Sequence, residues 1–283
     1  MIFVAIAGVL NIGLDALFIG PFDLGAAGAA LATVLSEAGS VLLAFLAIRK
    51  RTDLLPSLTR KDLVLQGSAS RRILSIGIPV ALQDGLIQVS FLVITAIADS
   101  RGVDIAAAVG IVEKIISFLF LVPSAMLSTI SALSSGYIGA GKRQKSKKCL
   151  WYGIRICVIY GALIFLISQV LGRGAVSLFV PGNRSVITYG TQYLRTYSLD
   201  TLFAGVQFCF SGYFCARGKS LYAFLHNVLS IALVRIPAAF LASVLFPDNL
   251  APMGLAAPMG SLLSILICTL LYRHLTGQDA SRQ

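Results

Sequence analysis

Apolar residues run along this chain in eight long blocks separated by short polar intervals. The blocks cover 1–19, 26–48, 73–97, 106–138, 149–172, 188–216, 220–246 and 252–273. A helix needs about 20 mainly apolar residues to cross about 30 Å of hydrocarbon, and each block is close to that length or longer. The pattern therefore predicts an all-α integral membrane fold with eight transmembrane helices. Proline interrupts four of the blocks, at Pro79, Pro123, Pro237 and Pro258. In a membrane bundle, neighbouring groups can re-satisfy the carbonyls that a proline frees.

The intervals alternate in charge. Arg49, Lys50, Arg51, Arg60, Lys61, Arg71 and Arg72 lie between the second and third blocks. Lys142, Arg143, Lys145, Lys147 and Lys148 lie between the fourth and fifth, Arg217 and Lys219 between the sixth and seventh, and Arg273 closes the eighth. The intervals 20–25 and 247–251 hold no base. Arg101 sits beside Asp99 and Asp104 in 98–105, and 173–187 holds Arg173 and Arg184. The positive-inside rule then places the basic intervals and both termini in the cytoplasm of a multi-pass protein of the cell membrane. The stretch 49–72 is the one sizeable connection. Its Leu63-Val64-Leu65 run, followed by Arg71-Arg72, is expected to lie along the membrane surface. It separates 1–48 from 73–274, with 275–283 as a cytoplasmic tail.

Composition narrows the function classes. Of 283 residues, 57% are hydrophobic and only 12% charged, too few charges to cover a soluble surface of this size. The net charge of +11 sits in blocks between spans, not on one face with stacking aromatics, so no nucleic-acid partner is expected; the bulk partner is membrane lipid. All five cysteines fall in or at the ends of apolar blocks without a CxxC pair, and there are two histidines. Buried, inert thiols are expected, with no zinc site or disulfide framework. His226 and His274 read as satisfied interfacial histidines. Neither HExxH nor GxSxG occurs, so an enzyme is not expected. The first block lacks a basic leader and carries Asn11 and Asp15, so it reads as a span and not a signal peptide.

An internal echo links 17–32 to 243–258, where Pro21, Leu24, Gly28 and Ala30 meet Pro247, Leu250, Gly254 and Ala256 at an offset of 226 residues. The two stretches begin six spans apart and run in the same direction, as in parallel repeats about an axis along the membrane normal.

With the segments laid out, the chain resembles the multidrug and toxic compound extrusion (MATE) family, within a group that also includes lipid-linked oligosaccharide flippases. The resemblance begins with Asn11-Ile-Gly-Leu-Asp15-Ala-Leu-Phe-Ile19 and Leu24-Gly-Ala-Ala-Gly-Ala-Ala-Leu-Ala-Thr33, similar to that family's fifth and sixth helices. It continues with Gly77-Ile-Pro-Val-Ala-Leu-Gln83, Gly139-Ala-Gly-Lys142, Tyr193-Leu-Arg195, Gly218-Lys219 and Arg235-Ile-Pro237. The resemblance implies a secondary active exporter that moves amphipathic, often cationic, small molecules outward against Na⁺ or H⁺, with no cofactor beyond the coupling ion. It also implies twelve helices in two six-helix lobes. The chain would then hold the last two helices of an N-terminal lobe and a complete six-helix C-terminal lobe, with the first four helices lacking. A flippase for lipid-linked saccharides and a non-transporting fragment stay open beside the exporter.

Ionisable groups within a span cost about 2.5–3.5 kcal/mol or more, so each one asks for a reason. Asp84 and Asp200 fall near the midplane. Asp84 is expected to share a helix face with Gln88 and Thr95, and Asp200 with Tyr193 and Tyr197. A carboxylate beside aromatics can bind a cation or carry a proton; the alternative for each is a structural bridge to Arg195 or Arg235. Glu113, next to Lys114, joins these candidates for ion coupling or cavity lining. Asp15 and Glu37 read as structural acids. The resemblance adds that a carboxylate in the third or fourth block, and one near Gln88, are family features.

Overall fold

The computed structural model describes residues 2–50 and 67–280. The Leu63-Val64-Leu65 run, and with it most of the 49–72 connection, lies outside the described residues. Among the described residues the regular structure is entirely helical. That is the form a chain takes in hydrocarbon, where each backbone N–H and C=O must find its partner within the protein. Six helical segments are long and apolar enough to cross a membrane: Gly25–Ala47, Ile73–Asp99, Val103–Gly139, Arg143–Ser177, Ser220–Leu245 and Ala251–Gly277. Large apolar side chains stand fully outward on them, Val170 at 79% exposure and Ile159 at 70%, which suits a lipid-facing surface and no aqueous one.

Of the other two expected spans, the first is the 18-residue helix α1 (Ile2–Ile19). The block 188–216 is not one helix. It divides into α7 (Arg184–Tyr197) and α8 (Asp200–Ala216), joined at Ser198 and Leu199 by tight turns in which Thr201 and Leu202 donate to the carbonyls three residues back.

The chain forms two compact units, Met1–Gln66 and Gly67–Gln283. In the first, α1 packs along α2 (Gly25–Lys50). The turn between them needs left-handed backbone at Asp23 (φ 48°) and Gly25 (φ 51°), which costs glycine little. The Asn11 amide donates to the Thr33 hydroxyl across the pair at 3.3 Å.

The second unit opens with α3 (Gly67–Asp99), α4 (Val103–Leu119), α5 (Leu121–Gly139) and α6 (Arg143–Ser177), before α7 and α8. After these come α9 (Ser220–Ser230), a π-helical segment Ile231–Arg235, α10 (Ile236–Leu245), α11 (Ala251–Gly254) and α12 (Ala256–Ala280). Helix α8 packs on both α5 and α6, α4 packs on α7, and α3 packs on α9. Small residues make these approaches possible. A Cβ on Gly161 would stand 2.6 Å from the Thr201 carbonyl oxygen, and one on Gly212 would run into the Leu127 carbonyl.

The loops sort by end, as the charge alternation requires. Arg101, in the turn after α3, donates to the Phe246 carbonyl at 2.9 Å and also to that of Pro247, and Asn183 before α7 donates to Asp104 at 3.2 Å. These residues belong to the three base-poor intervals of the unit. Ser75, Arg143 and Arg217, from basic intervals or beside them, instead line one cavity of about 450 Å³.

Because backbone stands where the missing side chains would go, enlarging these glycines should overpack α8. Gly161→Ala and Gly212→Ala are each expected to cost about 1–3 kcal/mol. The check is the thermal midpoint of the purified chain in detergent. Gly110→Ala, where nothing lies within 4 Å of a new Cβ, should leave that midpoint unchanged.

Candidate functional site

The polar centre of the second unit is built at two irregularities in its helices. The first is the Ser198–Leu199 break, which makes Asp200 the opening residue of α8. The break's backbone is satisfied locally, because the Thr201 hydroxyl reaches the Ser198 carbonyl at 2.7 Å, with the Gly161 carbonyl 3.1 Å away. The second is the π segment Ile231–Arg235, in which the Ile236 N–H bonds the Ile231 carbonyl five residues back. Pro237 causes it: its ring has no N–H to give to Leu233 and crowds that carbonyl, so the preceding turn widens. The widened turn ends at Arg235.

The Arg235 guanidinium donates to the Tyr197 hydroxyl at 2.7 Å and lies 4.8 Å above the Phe91 ring. Asp200 is 2% exposed, in the electrostatic field of Arg235 and within hydrogen-bonding reach of Ser261. Ser261 in turn accepts from the Gln207 amide at 3.1 Å. Glu113, from α4, accepts from Thr95 at 3.2 Å and also feels Arg235. Tyr193 and Tyr197, both 1% exposed with ring centroids 5.5 Å apart, close the cluster on the α7 side. Helix α12 comes this near because its Gly260 has no side chain; a Cβ there would sit 3.2 Å from that of Arg235. Four polar atoms of the cluster are buried without a hydrogen-bond partner: Asp200 Oδ1, Glu113 Oε1, Gln207 Oε1 and Arg235 Nε. Two carboxylate oxygens and an amide oxygen are three acceptors with unused capacity, the donor set that a small hard cation or a proton would use.

The structure thus gathers Asp200, Glu113 and Tyr197 around one arginine, while two other sequence candidates stand elsewhere. Asp84 and Gln88 are exposed on α3, with Asp84 in electrostatic reach of Cys215 and not of Arg235. Thr95, further along the same helix, donates to Glu113. Arg195 is exposed. Ser261, Gln207 and Phe91 join the cluster unannounced, because single polar or aromatic residues in apolar blocks give no sequence signal.

Other candidates stand outside the cluster. His226 is fully buried, its two ring nitrogens met by the Ser211 and Ser264 hydroxyls at 2.9 and 2.7 Å. In the first unit Asp15 follows Asn11 by one turn, and its Oδ1 is enclosed without a hydrogen-bond partner, while Glu37 is exposed. All five cysteines are free, and Cys157 and Cys209 approach to 3.6 Å between sulfurs.

Residues 79–241, more than half of the chain, match the MatE family model. The chain belongs to the MATE family. Among curated proteins it is 28% identical over 272 residues to the probable multidrug resistance protein YpnP of Bacillus subtilis, covering 96% of this chain and 60% of that protein. It is 26% identical over 273 residues to the multidrug export protein MepA of Staphylococcus aureus, covering 94% and 59%. Among solved structures, a MATE protein in complex with MaL6 superposes with TM-score 0.89 at 18% identity, over 98% of this chain and 62% of that one. A MOP superfamily transporter from Pyrococcus furiosus superposes with TM-score 0.86 at 19% identity, over 96% and 61%. The chain therefore spans about three-fifths of the length of these MATE relatives.

Removing the arginine would leave two carboxylates in an apolar bundle without their shared counter-charge. Arg235→Met should destabilise the purified chain by about 3–5 kcal/mol. Adding Asp200→Asn to it should recover part of that loss. Thermal unfolding of the wild type, both single variants and the double variant measures the coupling.

Proposed function

We propose that the chain acts in secondary active export of amphipathic, often cationic, organic compounds, exchanged for inward Na⁺ or H⁺. The observation that carries the reading is the convergence of Asp200 and Glu113 on a single Arg235 inside an apolar membrane bundle. The names of YpnP and MepA support the class of cargo. Two carboxylates against one guanidinium give the cluster a formal charge of −1, which one monovalent cation or one proton would neutralise. The inventory also speaks against the lipid-linked oligosaccharide flippase, which would want a net cationic cavity; Lys114 and Arg195 are both exposed and outside the cluster. A non-transporting fragment is the remaining alternative, and no catalytic chemistry is assigned.

In this reading 1–48 corresponds to the last two helices of a first lobe, and 73–274 to the six helices of a second. α1 and the kinked α7–α8 pair complete eight crossings, with both termini cytoplasmic. Asp200, Glu113 and Tyr197 take the coupling role. Asp84 and Gln88 line the unit's surface. Asp15, whose buried Oδ1 has no hydrogen-bond partner, is a second coupling candidate in the first unit.

Efflux of a cationic dye from cells expressing the chain, with and without a Na⁺ or H⁺ gradient, tests the assignment. The Asp200→Asn/Glu113→Gln double variant should lose the gradient-dependent part of efflux, and Asp15→Asn measures the first unit's share. Undiminished gradient-driven efflux in the Asp200/Glu113 variant would remove those carboxylates from the mechanism. Absence of efflux from the wild-type chain would favour the non-transporting alternative.

A further inference from the structure

Helices α5 and α6 form an antiparallel hairpin whose outward side carries a groove of about 540 Å³. Gly153 makes its floor: a Cβ there would run into Ile130 and lie 3.3 Å from the Met126 methyl, so the two helices close over a bare backbone. Leu133 and Ile156, half exposed, form apolar walls. Lys145 and Lys148, one helical turn apart and both exposed, stand at the hairpin end, with Tyr137 and Tyr152 beside them. From Lys145 to Ile156 the groove runs about 16 Å along α6 at 1.5 Å per residue. It is therefore cationic at one end and aliphatic along its length.

The counter-charge for those lysines is what identifies the occupant. Neither α5 nor α6 contains an aspartate or glutamate. A ligand that satisfies both ends must pair an anionic head with an alkyl tail, and basic pockets between membrane helices hold anionic lipid head groups in this way. We propose that the α5–α6 groove is a selective site for an anionic phospholipid, with its phosphate at Lys145 and Lys148 and an acyl chain against Leu133 and Ile156. The site needs the membrane-spanning fold and does not depend on transport.

The rival explanation is that the lysines serve only to orient the hairpin during insertion. The two are separated by moving the same number of charges. The chain is purified in detergent from membranes containing phosphatidylethanolamine and phosphatidylglycerol, and retained lipid is measured by native mass spectrometry. The wild type should retain phosphatidylglycerol enriched several-fold over its share in the membrane. K145Q/K148Q should fall to the bulk ratio, whereas K142Q/K147Q, with equal charge removed, should keep the enrichment. L133W, which fills the groove and leaves every lysine in place, should also lose it. Bulk-ratio lipid on the wild type would overturn the proposal. So would enrichment that survives in K145Q/K148Q or in L133W.

Discussion

Hydrocarbon offers the backbone no hydrogen-bond partner, and most of what distinguishes this molecule follows from that. A helix in lipid cannot simply break, because each freed N–H or carbonyl would cost several kcal/mol. At the two departures from α-helix that build the cluster, the protein accordingly supplies substitutes. At Ser198–Leu199 the Thr201 N–H and hydroxyl both donate to the Ser198 carbonyl. At Ile231–Arg235 the ladder shifts to a five-residue bond, from the Ile236 N–H to the Ile231 carbonyl. Both breaks end on a charged residue, Asp200 and Arg235, and the two charges belong to the same cluster. Irregular backbone and intramembrane charge thus share one location, where each supplies polar surroundings for the other.

Packing and electrostatics meet again at the glycines. Without a hydrophobic drive between helices in lipid, close contact depends on small residues. Gly161 seats α6 on the backbone of α8 just beyond Asp200, and Gly260 admits α12 to the side of Arg235. Widening either contact would separate charges that rely on a few ångströms of low-dielectric space for their attraction. The helices' fit is therefore a condition for the cluster as much as for the fold.

What the sequence disclosed and what it withheld divide along the same physical line. Apolar blocks and basic intervals are one-dimensional signals of the solvent, so the helices and the grouping of Arg101 with the 246–247 turn could be read from them. The break inside 188–216 could not, because Ser198 and Leu199 are neither proline nor glycine. Asp200, Glu113 and Tyr197 were legible as intramembrane polar groups that must have a reason. Asp84 and Gln88 satisfied the same criterion, yet they are exposed on α3 and apart from the cluster. Helical spacing tells which residues share a face and never which face turns inward. Ser261 and Gln207 became part of the site only through α12 packing against α8, a contact far apart in sequence.

The cost of charge in hydrocarbon also explains why the basic residues of this chain fall into two kinds. Arg235 lies deep, and its planar fork is met from within the protein by Tyr197, Phe91, Asp200 and Glu113. Lys145 and Lys148 lie at a hairpin end on helices with no acid of their own, and their long stems let the ammonium groups reach the interface. The first kind can be balanced internally and so can be changed by whatever enters the cluster. The second finds no acid on its own hairpin, and in a membrane the anions always at hand are lipid phosphates. That difference in where the balancing charge resides separates a site suited to exchange from a surface suited to standing occupancy.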